Sequence, residues 1–286
     1  MWWKSNSVVA TLRVAMHHAE RDDYTNSQEM TLNGQWHELS IGGHPADVFE
    51  PAVRHPQGFV VLYLHGVHLN RLVDKSVFVE LFAKHGLTVV SPFTQRSWWT
   101  DIICNEFDPK ITAQQHLLQN VVPWITERYG AQPGQLSPPR PTKIALLGTS
   151  MGGQGALRLA YKFPNQFPVV AAISPAIDYY LRYNEGDETI PQMYADPEAA
   201  RQDTALLHVH PLNWPRNQFF CCDPEDFRWW NSADRLRMKL YSLGVPHECD
   251  LETSGGGHGF EYYNRMAPRA IEYLVDRLQA EQRRLM

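Results

Sequence analysis

No stretch of the chain approaches the ~18 consecutive apolar residues of a membrane span, so no transmembrane role is expected. An excess of basic residues is also missing. The formal net charge is -5, whereas a nucleic-acid-binding protein carries a basic footprint. The acidic residues are spread out, which excludes an acidic tail. Cysteine is scarce: there are four, with no CxxC pair. Cys221 and Cys222 are adjacent, and Cys104 and Cys249 lie far off in sequence. That pattern excludes a disulfide framework and points to buried free thiols in a reducing compartment. Internal repeats and low-complexity linkers are absent, so a repeat array is not expected.

The N-terminal stretch MWWKSNSVVATLRVAMHHAERDD lacks the uninterrupted apolar core of a signal peptide, because Arg13 breaks the run. Residues 1–30 read as a loose arm or short amphipathic helix, with His17 and His18 solvated. A cytoplasmic location is the expectation.

What is present suits a soluble domain with a sizeable core: 43% hydrophobic and 20% charged residues in a chain of 286. Trp36 to Ile41 and Ala46 to Glu50 read as strands joined at Gly42-Gly43. Phe59 to Leu64 is a continuous apolar run, as in a strand covered on both faces. Val77 to His85 has helical spacing, and Leu87 to Ser91 is the next strand. Ala113 to Tyr129 reads as a helix closed by Gly130. The Pro/Gly-rich segment 130–141 reads as a loop. Further strands are expected at Ile144 to Leu147, Val169 to Ser174, Asn217 to Cys222 and Glu248 to Glu252. Helices are expected after Ser150, over Ser232 to Leu243 and over Ala267 to Arg283. Such alternation predicts an α/β fold, a mostly parallel sheet with helices on both faces and an antiparallel first edge.

One turn stands out. Gly148-Thr149-Ser150-Met151-Gly152 lies between an apolar strand and a helix. Small flanking residues permit a sharp turn that lifts a serine hydroxyl above the strand ends, beside a helix N-terminus. Ser150 is therefore the candidate nucleophile. A serine needs a base, and in this arrangement the order along the chain is serine, acid, histidine. His258, in the loop Gly255-Gly256-Gly257-His258-Gly259, follows the last strand and is the candidate base. His65 reads as a loop-shaping residue. His208 and His210 have strand-like spacing but lack a third metal ligand nearby. The acid should follow Asn217 to Cys222, where Asp223, Glu225 and Asp226 stand. Asp226 is preferred, Asp223 is the alternative acid and Asp178 comes third. An acid that is not used would cap the helix near Ser232. The oxyanion hole calls for two backbone N–H groups, those of Met151 and Val67.

With these pieces in order, the chain resembles an α/β-hydrolase of the esterase D type. That group includes S-formylglutathione hydrolases, feruloyl esterases and carbohydrate acetyl esterases. The matching pieces are Leu64-His65-Gly66, Trp124 to Gly130, the elbow Gly148 to Gly155, Tyr194-Ala195-Asp196-Pro197-Glu198, Cys222 to Phe227 and Gly257-His258. The resemblance covers roughly residues 35 to 280. It implies a serine hydrolase that cleaves carboxylic esters through a Ser-His-Asp triad and an acyl-enzyme, without a metal or organic cofactor. It also places Asp226 at the family's acid position and Asp223 where a glycine is usual. Members acting on S-formylglutathione are similar to one another in an oxyanion-loop cysteine. Val67-His68-Leu69 stands here instead, which counts against that substrate.

The domain expected is a single one, 1–286, with a cap-like insertion at 178–216. Trp98, Trp99, Trp229 and Trp230 follow strand ends on the site side and are candidates for the substrate pocket. The expected partner is a small-molecule ester, with no nucleic acid and no membrane; the sequence carries no signal for an oligomeric state. Alternatives on the same fold are a thioesterase, peptidase or lyase, or a non-catalytic binding protein.

Overall fold

The computed structural model describes residues 33–284. Ten strands are present among them: β1 Gly34–Ile41, β2 His44–Pro51, β3 Val60–Leu64, β4 Thr88–Pro92, β5 Gln135–Leu136, β6 Pro139–Arg140, β7 Ile144–Thr149, β8 Val169–Ile173, β9 Asn217–Cys221 and β10 Glu248–Asp250. Eight form one sheet in the order β1-β2-β4-β3-β7-β8-β9-β10. The β1/β2 and β2/β4 pairs are antiparallel. From β4 to β10 every pairing is parallel. The hairpin thus forms one edge, as its Gly42-Gly43 turn predicts. β5 and β6 make a small ribbon inside the expected loop.

The helices follow from apolar spacing. α1 is Ser76–Lys84. α2, Ala113–His116, runs through a π-helical turn, Leu117–Val121, into α3, Val122–Tyr129. Gly130 closes it in the left-handed conformation, φ 64°. α4 is Met151–Lys162. The segment 178–216 holds four short helices: α5 Tyr179–Asn184, α6 Ile190–Met193, α7 Pro197–Gln202 and α8 Ala205–His208. α9 is Trp230–Ser242 and α10 is Phe260–Arg284.

Side chains alternate across the strands, so each strand feeds two cores. Leu62, Leu64, Leu146, Val170 and Phe220 pack with Leu117, Ile125, Leu157 and Leu236 on one face. Val61, Tyr63, Leu147, Ala171 and Phe219 pack with Phe78, Phe82, Ile271 and Leu274 on the other. β3, β7 and β8 are buried along their whole length, as their unbroken apolar runs require.

The last helix differs from the sequence expectation. It begins at Phe260, with Pro268 inside it. A proline normally opens a helix, which is why the sequence suggested a start near Ala267. The early start puts a full turn of helix directly behind the histidine loop. The N-terminal arm, including His17 and His18, lies outside the described residues. Among those residues, no helix is long and apolar enough to cross a membrane.

Candidate active site

The site starts from a strained turn. Ser150 has φ 55° and ψ −119°, a region that costs a residue with a side chain of order 1–3 kcal/mol. The turn is held open by hydrogen bonds: the Ser150 N–H donates to Ile173 O, and the Ala176 N–H donates to Ser150 O, both at 3.0 Å. Gly152 is dictated by contact. A Cβ there would lie 1.8 Å from the Leu64 carbonyl oxygen. The elbow and the end of β3 therefore touch backbone to backbone.

Ser150 Oγ lies 2.8 Å from His258 Nε2, and His258 Nδ1 lies 2.6 Å from Asp226 Oδ2. An ionised carboxylate only accepts. It thus draws the proton to Nδ1 and leaves Nε2 as an acceptor for the Ser150 hydroxyl. Asp226 is buried, at 3% exposure. Its Oδ1 accepts from the Trp229 N–H at 3.3 Å, and its Oδ2 also faces the Cys222 thiol at 3.7 Å. Burial, reinforced by Asp226, pushes the Cys222 thiol well above its usual range, so the sulfur is the donor. The ring of Tyr263, from the first turn of α10, stands edge-on to His258 at 5.7 Å. Its buried hydroxyl is held neutral by desolvation and by Tyr63 and Asp226.

Met151 is the first residue of α4, where an N–H has no acceptor within the helix. The loop carrying Val67 abuts the serine: a Cβ on Gly66 would lie 3.3 Å from Ser150 Cβ. His65 shapes that loop. Its Nδ1 meets Gly66 O at 3.0 Å and its Nε2 accepts from the Thr94 N–H at 3.2 Å. Burial pushes its pKa down to about 4, so it is a neutral structural ring.

The other sequence candidates lie as follows. Asp223 does not face His258. Its carboxylate accepts backbone N–H groups from Gly255, Gly257 and Glu225. That also corrects the expectation of a helix cap near Ser232. Asp178 caps α5 through the Leu181 N–H and pairs with Arg235. His208 bonds Asp203 at 2.9 Å, and His210 accepts from the Leu212 N–H. Among the described residues, no group of three His, Cys, Asp or Glu side chains is placed to hold a metal ion.

The tryptophan pairs need correction. Trp98 and Trp99 are each 1% exposed. The Trp98 indole donates to Thr189 Oγ1, and the Trp99 indole donates to His65 O. Gly155 is small because Trp99 covers it: a Cβ there would come within 2.5 Å of Trp99 Cβ. Trp99 thus packs against α4, and Trp98 packs against the 178–216 segment, edge-on to Tyr179. Trp230 donates to Leu251 O and lines a cavity with Asp234, Arg237 and Arg269 whose walls include none of Ser150, His258 and Asp226. Only Trp229, its ring 6.4 Å from His258, stays beside the site. Sequence reasoning missed Tyr263 because the last helix was started too late. It missed the bonds of Asp223 because no spacing rule encodes a carboxylate that accepts loop amides.

No curated protein matches the chain in sequence. Solved structures do match in fold. A fluorophosphonate-binding serine hydrolase, FphF of Staphylococcus aureus, aligns at TM-score 0.64 and 16% identity, over 85% of this chain and 98% of its own. An S-formylglutathione hydrolase from Agrobacterium tumefaciens aligns at TM-score 0.64 and 17% identity, over 86% and 96%. A ferulic acid esterase aligns at TM-score 0.64 and 17% identity, over 86% and 99%. At such identities the likeness is one of fold, the α/β-hydrolase fold. The family is fixed by a sequence model described as "Putative esterase", which matches residues 52–240 and so includes the His65-Gly66-Val67 loop, the Ser150 turn and the Asp223-to-Asp226 loop. The chain belongs to that family of esterases and is a carboxylic ester hydrolase.

Proposed function

We propose that the chain hydrolyses small carboxylic esters through an acyl-enzyme, with Ser150 as nucleophile, His258 as general base and acid, and Asp226 as the acid that orients the imidazole. The single observation that carries this reading is the continuous relay of 2.8 Å and 2.6 Å from Ser150 through His258 to Asp226. Ser150 Oγ attacks the ester carbonyl carbon as its proton passes to His258 Nε2. The carbonyl oxygen becomes an oxyanion, facing the Met151 and Val67 N–H groups. Each such donor is worth about 3 kcal/mol to the transition state. His258 then gives its proton to the departing alkoxide, leaving the acyl group on Ser150. Water repeats the sequence: it gives a proton to His258, attacks the acyl carbon, and Ser150 leaves with that proton restored.

Asp226 stays ionised throughout and stabilises the imidazolium. The neighbours' names mention S-formylglutathione and ferulic acid. Val67-His68-Leu69 counts against the first, and the oxyanion-loop cysteine is not available here. The test is labelling with a fluorophosphonate, which reacts only with an activated serine, together with p-nitrophenyl ester kinetics. Wild type should be labelled at Ser150 and Ser150→Ala should lose both labelling and turnover while keeping its fold. Near-wild-type turnover in a contamination-free Ser150→Ala preparation would sink the reading.

A further inference from the structure

We propose that Asp223 is a positioning residue for His258, clasping the histidine loop to the acid loop through backbone amides. This inference rests on the triad reading above. Asp223 follows β9 and is fully buried. Its Oδ2 accepts the Gly255 N–H at 2.7 Å and the Gly257 N–H at 2.8 Å. Its Oδ1 accepts the Glu225 N–H at 2.8 Å. Glu225 immediately precedes Asp226, and Gly257 immediately precedes His258. One carboxylate therefore sets the spacing between the two loops that carry the acid and the base.

The histidine loop needs such a clasp. Gly256 and Gly257 sit at φ 92° and 75°, in the region glycine reaches freely, and glycine has the most backbone freedom to lose. Left alone, a triple-glycine loop would sample many positions for His258. Hydrogen bonds from amides to a carboxylate are charge-assisted and stronger than neutral ones. Burial raises the Asp223 carboxyl, but the amides of Glu225, Gly257 and Gly255 and the Ser254 hydroxyl outweigh it and hold the group below its ordinary range. The side chain is thus an anion, with an acceptor for each of the three amides.

Asparagine cannot copy this. Its single oxygen serves either the two glycine amides or the Glu225 amide, and its NH2 then faces a donor. Asp223→Asn should therefore loosen His258 without touching substrate. The expected result is a kcat lowered roughly 10- to 100-fold, the cost of a misplaced catalytic group, with KM little changed. Fluorophosphonate labelling of Ser150 should slow by the same factor. The low-field proton resonance of His258 Nδ1–H should broaden or vanish.

A folded Asp223→Asn enzyme with wild-type kcat and an unaltered resonance overturns the proposal. Should that variant fail to fold, hydrogen exchange in the wild-type protein decides. The Gly255 and Gly257 amides should exchange far more slowly than in an unstructured peptide; exchange at the unstructured rate overturns the clasp. Failure of the triad itself reads differently: wild type would then go unlabelled at Ser150, or Ser150→Ala would keep its activity.

Discussion

Asp226 and His258 meet at 2.6 Å, carboxylate oxygen to Nδ1, with the carboxylate at 3% exposure. The carboxylate is shielded from solvent, and in the proposed triad it would hold the ring by Nδ1 and favour the tautomer that carries its proton there. Asp226→Asn keeps the shape but offers an NH2 where Nδ1–H must donate. Turnover of p-nitrophenyl acetate should fall by up to ~10⁴, far more than for Asp223→Asn. Thermal unfolding measured alongside separates lost chemistry from lost structure. A loss below tenfold in a folded Asp226→Asn protein would remove Asp226 from the relay.

The stability of the fold should decline in acid in two separate windows. His65 is buried and neutral, its pKa pushed from 6.5 down to about 4 by desolvation. Its folded pKa is depressed, so between those values the unfolded chain binds more protons than the native one. Stability is complete above pH 6.5 and is lost as pH falls toward 4, by up to roughly 3 kcal/mol. The half-buried Asp203 follows lower down: partial burial raises it, but His208, Arg158 and Tyr194 outweigh that and hold it at about 2. That contribution is present above its ordinary value of 3.8 and lost between 3.8 and about 2. Urea unfolding from pH 7 to pH 4 checks the upper window. A flat midpoint across it would contradict the burial of a neutral His65.

Much of the site was legible because its parts are local. An apolar strand, a crowded Gly-x-Ser-x-Gly turn and a helix are all encoded within Ile144 to Lys162. Ser150, Asp226 and His258 follow β7, β9 and β10 in turn, the order in which the sequence expectation sought a serine, an acid and a histidine. What was not legible depends on contacts between distant segments. Trp98 and Trp99 stand at φ 54° and 57°, and no spacing rule places such residues. Their indoles turn inward to Thr189 and His65. Pro268 masked the first turn of α10, and with it the approach of Tyr263 to His258.

The segment 178–216 is tied to α4 by an ion pair whose guanidinium is buried and whose carboxylate is partly exposed. Arg158 on α4 is 1% exposed and meets Asp203 at 2.6 Å, with Gln114 Oε1 at 2.8 Å. His208 and the Tyr194 hydroxyl complete the shell around Asp203. Asp203→Ala leaves a guanidinium without its counter-charge, which costs about 3–5 kcal/mol when a buried pair is broken on one side. The double replacement Arg158→Met/Asp203→Leu removes both charges and should recover most of that loss. Chemical denaturation of the three proteins is the check. A double variant no more stable than Asp203→Ala would show that packing, not the stranded charge, sets the cost.

The last expectation concerns Gly152. Its Cβ position is filled by the Leu64 carbonyl oxygen, 1.8 Å away, with the His65 carbonyl oxygen at 2.7 Å. Both obstacles are backbone, so no rotamer change relieves an alanine there. Gly152→Ala must push α4 away from the end of β3. α4 and the loop after β3 carry the Met151 and Val67 amides, so the two proposed oxyanion donors separate. Loss of one oxyanion donor costs about 10²–10³ in kcat, and Gly152→Ala should lose at least the lower figure. KM should change little, because the donors act on the tetrahedral oxyanion rather than on the ground-state carbonyl. Tm should fall as well, since the shift disturbs the central strands. Kinetics and thermal unfolding on one preparation give both readouts. A folded Gly152→Ala enzyme with wild-type kcat would mean that the elbow and the β3 loop do not cooperate in holding the oxyanion.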